Sequence, residues 1–428
     1  MKRLIGILVV GGSMAAAIPL LPGPTVDVIL PPPEPWQAAV CPAVRADDRS
    51  VSQIAVAAEV PGEALAVFTL RGSQQRSHPI EVTEAGGGWL EVGSVVSEGL
   101  TPAALEMPTA AGAAALLVGL DERTGAAACP MGRSSLWLLP GASSRSGQAL
   151  DLVIANPFAG PARVAVRSAS ELGLDSVARL ASLELAPRSV AVVDLAGELP
   201  LRDLLAVTVE VSDGQVVPAL LQTGRADAAL WEGVAGRDEW LVVLPEWAEG
   251  TRRLVISTDS PLAVPFQVEP FAADVEMPLL PTEISPGGVV SVDLSGASTS
   301  ALALRVTAAA PVAATVVLES ELSQAAAPAV PAAGRRWLIP GVGLPAEAVH
   351  RLWVYYGGAQ PTPLSIRALR DRGPVVAVEL QPGLVNPIEL VGDFSPGVLV
   401  EAAEPVVVLW TRNLGDTIDM STGRLLDG

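Results

Sequence analysis

Positive charge is what this chain lacks most. Its 428 residues hold 27 Lys and Arg against 46 Asp and Glu, for a net charge of −19, and Lys2 is the only lysine. A surface this acidic repels phosphate backbones and anionic headgroups, which excludes electrostatic binding of nucleic acid. Histidine is almost absent too. His78 and His350 stand far apart without acids at ligand spacing, so neither a metal site nor a His-based catalytic set can be assembled from them, and both read as surface or loop residues. There is no Gly-x-Ser-x-Gly elbow, phosphate loop or dinucleotide fingerprint. Gly86-Gly87-Gly88 lacks the lysine and the helix that a phosphate loop needs. The sequence predicts no enzyme, no metal and no cofactor.

Cysteine is scarce, with Cys41 and Cys129 only. They carry no metal spacing and no Cys-x-x-Cys, and a secretory leader upstream makes one disulfide the economical reading; two buried free thiols are the alternative. Long apolar runs are equally scarce. The single stretch able to approach membrane thickness is Leu4 to Leu21, behind Lys2-Arg3. Residues 1–24 therefore read as a cleaved signal peptide or a membrane-anchoring helix, with everything after them outside the cytoplasm. Residues 25–35 carry Pro31, Pro32, Pro33 and Pro35 and read as an extended spacer.

What the chain does have is glycine, proline and short apolar runs. With 40 Gly, 38 Pro and 50% hydrophobic residues, the pattern is that of many short strands joined by turns, an all-β chain. Those strands repeat. Tryptophan followed by proline recurs at Trp36, Trp137, Trp240 and Trp337, and a strand ending in an acid and an aliphatic residue follows as Glu91-Val92, Asp194-Leu195, Asp293-Leu294 and Glu389-Leu390. An apolar strand closes each copy: Leu116-Leu117-Val118, Ala219-Leu220-Leu221, Val316-Val317-Leu318 and Val407-Val408-Leu409. Segments such as Arg163-Val164-Ala165-Val166-Arg167 alternate as half-buried strands do. About seven strands in each hundred residues predict four tandem β-sandwich modules of immunoglobulin type, at 36–133, 134–235, 236–332 and 333–415, with 416–428 as a tail. The alternative architecture is a β-propeller with two blades per repeat.

Three stretches carry a family resemblance: Trp137-Leu138-Leu139-Pro140, the strand Leu152-Val153-Ile154-Ala155-Asn156-Pro157, and Pro187-Arg188-Ser189-Val190 leading to Asp194-Leu195. On these the chain resembles the actinobacterial domain of unknown function 5719 family. The resemblance implies an extracytoplasmic envelope protein of β architecture and brings no catalytic residues with it.

The recurring acids cannot converge from four modules on one cation, and read as solvent-facing strand positions. The repeated tryptophans read as core. Unrepeated aromatics are the candidates for ligand contact: Trp247, Trp353, Tyr355 and Tyr356, with Trp89, Trp231 and Trp410 behind them. The sequence thus predicts a non-catalytic envelope protein, anchored or secreted, that displays tandem modules to a protein partner. The alternative is a module that binds envelope glycan through those aromatics.

Overall fold

Short Val-, Ala- and Leu-rich runs punctuated by Gly and Pro form strands throughout, because β-branched and small apolar side chains suit a pleated surface and turns interrupt every helix-length window. In the computed structural model the described residues are 38–427, apart from 47–49, 70–74, 97–98, 108–111, 121–122, 131–133, 225–226, 273–274, 276, 279 and 298–299. The leader at 1–24, the spacer at 25–35 and Trp36 lie outside them. The described residues belong to one compact unit.

The first module holds β1 (Ala38–Ala46), β2 (Ser50–Ala58), β3 (Gly62–Thr69), β4 (Gln75–Val82), β5 (Gly87–Glu91), β6 (Gly99–Glu106), β7 (Gly112–Leu120) and β8 (Arg123–Ala128). They make two antiparallel sheets, β1-β6-β3-β4 and β5-β2-β7-β8. The second repeats this plan. Its strands are β9 (Leu136–Ala142), β10 (Ala149–Asn156), β11 (Ala162–Ser170), β12 (Gly173–Asp175), β13 (Leu183–Leu185), β14 (Ser189–Asp194), β15 (Leu205–Asp213), β16 (Val217–Thr223) and β17 (Ala228–Glu232). One sheet runs β12-β11-β15-β9 with β13 beside β11, the other β14-β10-β16-β17.

The third module has β18 (Arg237–Leu244), β19 (Thr251–Ser257), β20 (Val264–Pro270), β21 (Glu283–Ile284), β22 (Val289–Asp293), β23 (Leu302–Glu319) and β24 (Gln324–Pro328). The fourth has β25 (Gly334–Pro340), β26 (Val349–Tyr356), β27 (Thr362–Ala368), β28 (Val375–Leu380), β29 (Leu384–Leu390), β30 (Gly397–Leu414), β31 (Thr417–Thr422) and β32 (Arg424–Leu425). In these two modules one 18-residue strand serves both sheets. The first half of β23 pairs with β18 and β20, its second half with β19 and β24, and β30 does the same. Residues 417–425, read from sequence as tail, are strands of the fourth module. The reason is β31, which forms a hairpin on the end of β30 and completes the sheet.

The modules do not lie along a line. Each first strand packs on the inner sheet of the following module: β1 on β10 and β16, β9 on β19 and β23, β18 on β26 and β30, and β25 back on β2 and β7 of the first module. Four two-sheet sandwiches therefore close into a ring, face against face, as the blades of a propeller do. Along its axis β8, β17, β24 and β31 pack each against the next, the last against the first.

Ring closure buries the inner sheets on both faces. On β10, Leu150, Leu152 and Ile154 enter the core of the second module, while Val153 on the opposite face joins Ala219 and Leu221 in the core of the first. Such strands read as continuous apolar runs, not as alternation. Outer-sheet strands alternate as the sequence suggests: on β11, Val164 and Val166 are buried while Arg163 and Arg167 are exposed. The modules meet so closely that the irregular step in β9 after Trp137-Leu138-Leu139-Pro140 needs glycine. Gly141 has φ +105°, and a Cβ there would stand 2.8 Å from Val317 Cγ2 of the third module.

Candidate functional site

The four axial strands bring all modules to one line, and its two ends differ. At one end a buried polar chain stitches the modules together. Asp227 Oδ2 of the second module accepts from Ser323 Oγ (2.8 Å) and from the Gln324 amide (3.2 Å) of the third. Ser323 Oγ accepts in turn from the Ile418 amide of the fourth (2.8 Å). Gln222 and Gln324 exchange side-chain bonds across the same junction, at 2.9 Å to Oε1 and 2.8 Å to the Gln222 carbonyl. Arg412 Nε donates to Asp419 Oδ2 (2.7 Å), and Arg412 Nη2 reaches the Gly125 carbonyl of the first module (3.3 Å). Burial, and then the neighbouring Asp419 charge, push the Asp227 carboxyl up to about 7.

His350 is also buried, contrary to its reading as a surface residue. Its Nδ1 accepts from Trp410 Nε1 at 3.2 Å, which leaves the proton on Nε2, facing the Pro345 carbonyl at 3.4 Å. Burial lowers its pKa to about 4, the Arg412 charge adding to that against the Pro345 bond, so the ring is neutral at pH 7. His78 lies in another module, half-buried on β4.

The opposite end of the axis opens into a cavity of 410 Å³, walled by all four modules. Three of the repeated tryptophans reach it, Trp137, Trp240 and Trp337, with Cys129 and Pro130 from the first module. The disulfide Cys41–Cys129, with Cα atoms 4.6 Å apart, ties β1 to the end of β8 beside it. Trp240 Nε1 donates to the Val312 carbonyl (2.7 Å) and Trp337 Nε1 to those of Gly334 and Val406 (3.2 Å each). Trp137 Nε1 is buried with no acceptor. Glu232, at the end of β17, is half-buried in the wall. Beyond its own backbone N–H its carboxylate has no partner among the described residues, and burial pushes it up to about 7. Arg424 lines the cavity too; burial depresses its pKa, and its Nη1 donates to the Gly112 carbonyl.

The aromatics singled out from sequence are not surface platforms. Trp353 is 3% exposed and donates to Thr411 Oγ1 at 2.9 Å; Tyr356 is 6% exposed and Trp247 8%. Tyr355 stacks on Phe271 of the third module, ring centroids 4.5 Å apart, at a joint between modules. Trp353, Tyr355 and Tyr356 are buried because ring closure covers the second face of β26 from Leu352 to Tyr356. Among the described residues Trp89 is the exposed tryptophan. The recurring acids do face solvent. Asp194 caps helix α1 (Leu195–Glu198) by accepting from the Gly197 amide at 2.9 Å, Asp293 accepts from the Ser295 amide at 2.9 Å, and Glu389 pairs with Arg351 at 3.0 Å.

Sequence reasoning missed Glu232 and Arg424. The available signal was a charge ending the apolar run Ala228-Ala229-Leu230-Trp231 on the strand just before the next repeated tryptophan. Among the described residues no three His, Cys, Asp or Glu side chains are grouped to hold a metal.

Residues 101–325, just over half of the chain, match a family described as a family of unknown function, DUF5719. The chain belongs to this family. No curated protein matches it. Among solved structures, the tetra-tandem repeat in the extending region of a large adhesion protein aligns over 86% of this chain and 93% of its own. The identity is 14% and the TM-score 0.11, too low to carry an argument. For this DUF5719 protein, function has to be argued from the ring itself.

Proposed function

We propose that the protein is a non-catalytic structural or interaction protein of the cell envelope, held outside the cytoplasm and presenting its ring to a protein partner. The observation that carries the reading is the Cys41–Cys129 disulfide, because such bonds form and persist in oxidising compartments. The closed ring supports it: interlocked sandwiches with tied loops make a rigid display surface whose outer strands and turns are open to contact. Residues 1–24 act as signal or anchor and 25–35 as the spacer between that segment and the ring.

The test is protease added to intact cells, followed by crosslinking of washed membranes. The expected result is digestion of the ring from outside and a stoichiometric crosslinked partner. A ring cleaved only after lysis removes the compartment, and a ring exposed but never crosslinked removes the partner.

A further inference from the structure

Two modules that stand diagonally across the ring place opposite charges at the same strand position. The closing hairpins set Leu230 opposite Leu221, Ala325 opposite Leu318, Thr422 opposite Leu409 and Gly125 opposite Val118. Two residues further along, that alignment gives Glu232 in the second module and Arg424 in the fourth, with Ala127 and Ala327 in the other two. Both charged residues line the axial cavity.

A carboxylate set half-buried in a protein wall carries a desolvation cost unless something compensates it, and no described side chain compensates Glu232. The cavity thus offers an acid and, toward the fourth module and the rim, the guanidinium groups of Arg424 and Arg237. Its 410 Å³ lies within the range of about 300–1,000 Å³ usual for small-molecule sites.

We propose that the axial cavity binds a small zwitterion, a free amino acid or short peptide, with its ammonium against Glu232 and its carboxylate toward Arg424 and Arg237. Carboxylate and aromatic walls together suit an ammonium, and guanidinium groups suit a carboxylate. The inference is independent of the compartment and of any protein partner.

The test uses the intact, oxidised protein and dialanine, followed by calorimetry and by tryptophan emission. Saturable binding with an emission shift is expected. N-acetyl-dialanine, which lacks the ammonium, and dialanine amide, which lacks the carboxylate, should each bind at least tenfold more weakly. Glu232→Gln should cost dialanine at least tenfold while leaving the acetylated form unchanged. Because binding an ammonium returns Glu232 to its charged form, titrations at pH 7 in buffers of different ionisation enthalpy should report proton release, absent in Glu232→Gln. Arg424→Gln provides a second variant, selective for the carboxylate end. No saturable binding of dialanine, equal binding of the capped forms, or undiminished binding by a folded Glu232→Gln protein each overturns the proposal.

Discussion

Ser323 and Asp227 belong to different modules, yet the Ser323 hydroxyl donates to the Asp227 carboxylate at 2.8 Å inside the ring, and the same hydroxyl accepts from the Ile418 amide of a third. One side chain therefore joins three repeats. The stability of the ring is tied to the protonation of its partner.

With its pKa raised from 3.8 to about 7, Asp227 binds its proton more tightly in the folded protein than in the unfolded chain. That stability is full below about pH 4 and is lost as pH rises through 7. Glu232, raised to about 7, acts with the same sign. Thermal unfolding should thus show a falling contribution between pH 4 and 7 that Asp227→Asn flattens. An unchanged slope in the variant would refute the coupling.

His350 works the other way. Its folded pKa is about 4, so its contribution is present above 6.5 and is lost as pH falls through 4. His350→Phe also leaves the Trp410 N–H without its acceptor, a cost of about 1–3 kcal/mol at pH 7. Urea titrations at pH 7 and pH 4.5 should show the variant weaker at the first and the gap narrowed at the second.

Reducing the ring, or replacing both cysteines by serine, should lower stability by about 2–5 kcal/mol through release of the 88-residue loop. The check is a denaturant midpoint, with a gel-mobility shift on reduction to show that the bond was formed.

Gly141→Ala places a Cβ against Val317 at a positive-φ position where the register of β9 shifts. A loss of at least about 1 kcal/mol is expected, since strained backbone and overpacking add. A neutral outcome in calorimetry would mean that the junction between second and third modules yields easily.

Closure can be tested by removing residues 333–428. Independent beads would leave three modules as stable as before. In the ring, Ala57 and Ala113 lose their packing against Leu338, Leu369 and Leu399, and the first and third modules are left with bare apolar faces. The fragment should therefore melt lower than the full chain and bind a hydrophobic dye.

The repeat, the strands and the core tryptophans were legible because each is a local signal: alternation on β11, a proline turn, a tryptophan at fixed spacing. Ring closure was not, because it depends on faces meeting between strands a hundred residues apart. Its trace was present in Leu152-Val153-Ile154-Ala155, a run too uniformly apolar for a half-buried strand. The same oversight made Trp353 and Tyr355 look available. The two share one face of β26, and a strand with that face open would have displayed both; from Leu352 to Tyr356 β26 is buried on both faces. Glu232 was hidden for the opposite reason: one acid in an acidic chain stands out only when the cavity around it is known.

The junction between the fourth and first modules differs from the other three in one respect: no peptide bond crosses it. It is held by packing of β25 on β2 and β7, by the Arg336–Glu59 ion pair and by the reach of Arg412 to the Gly125 carbonyl. The ring is therefore a bracelet with a clasp. The disulfide reinforces the module on one side of that clasp.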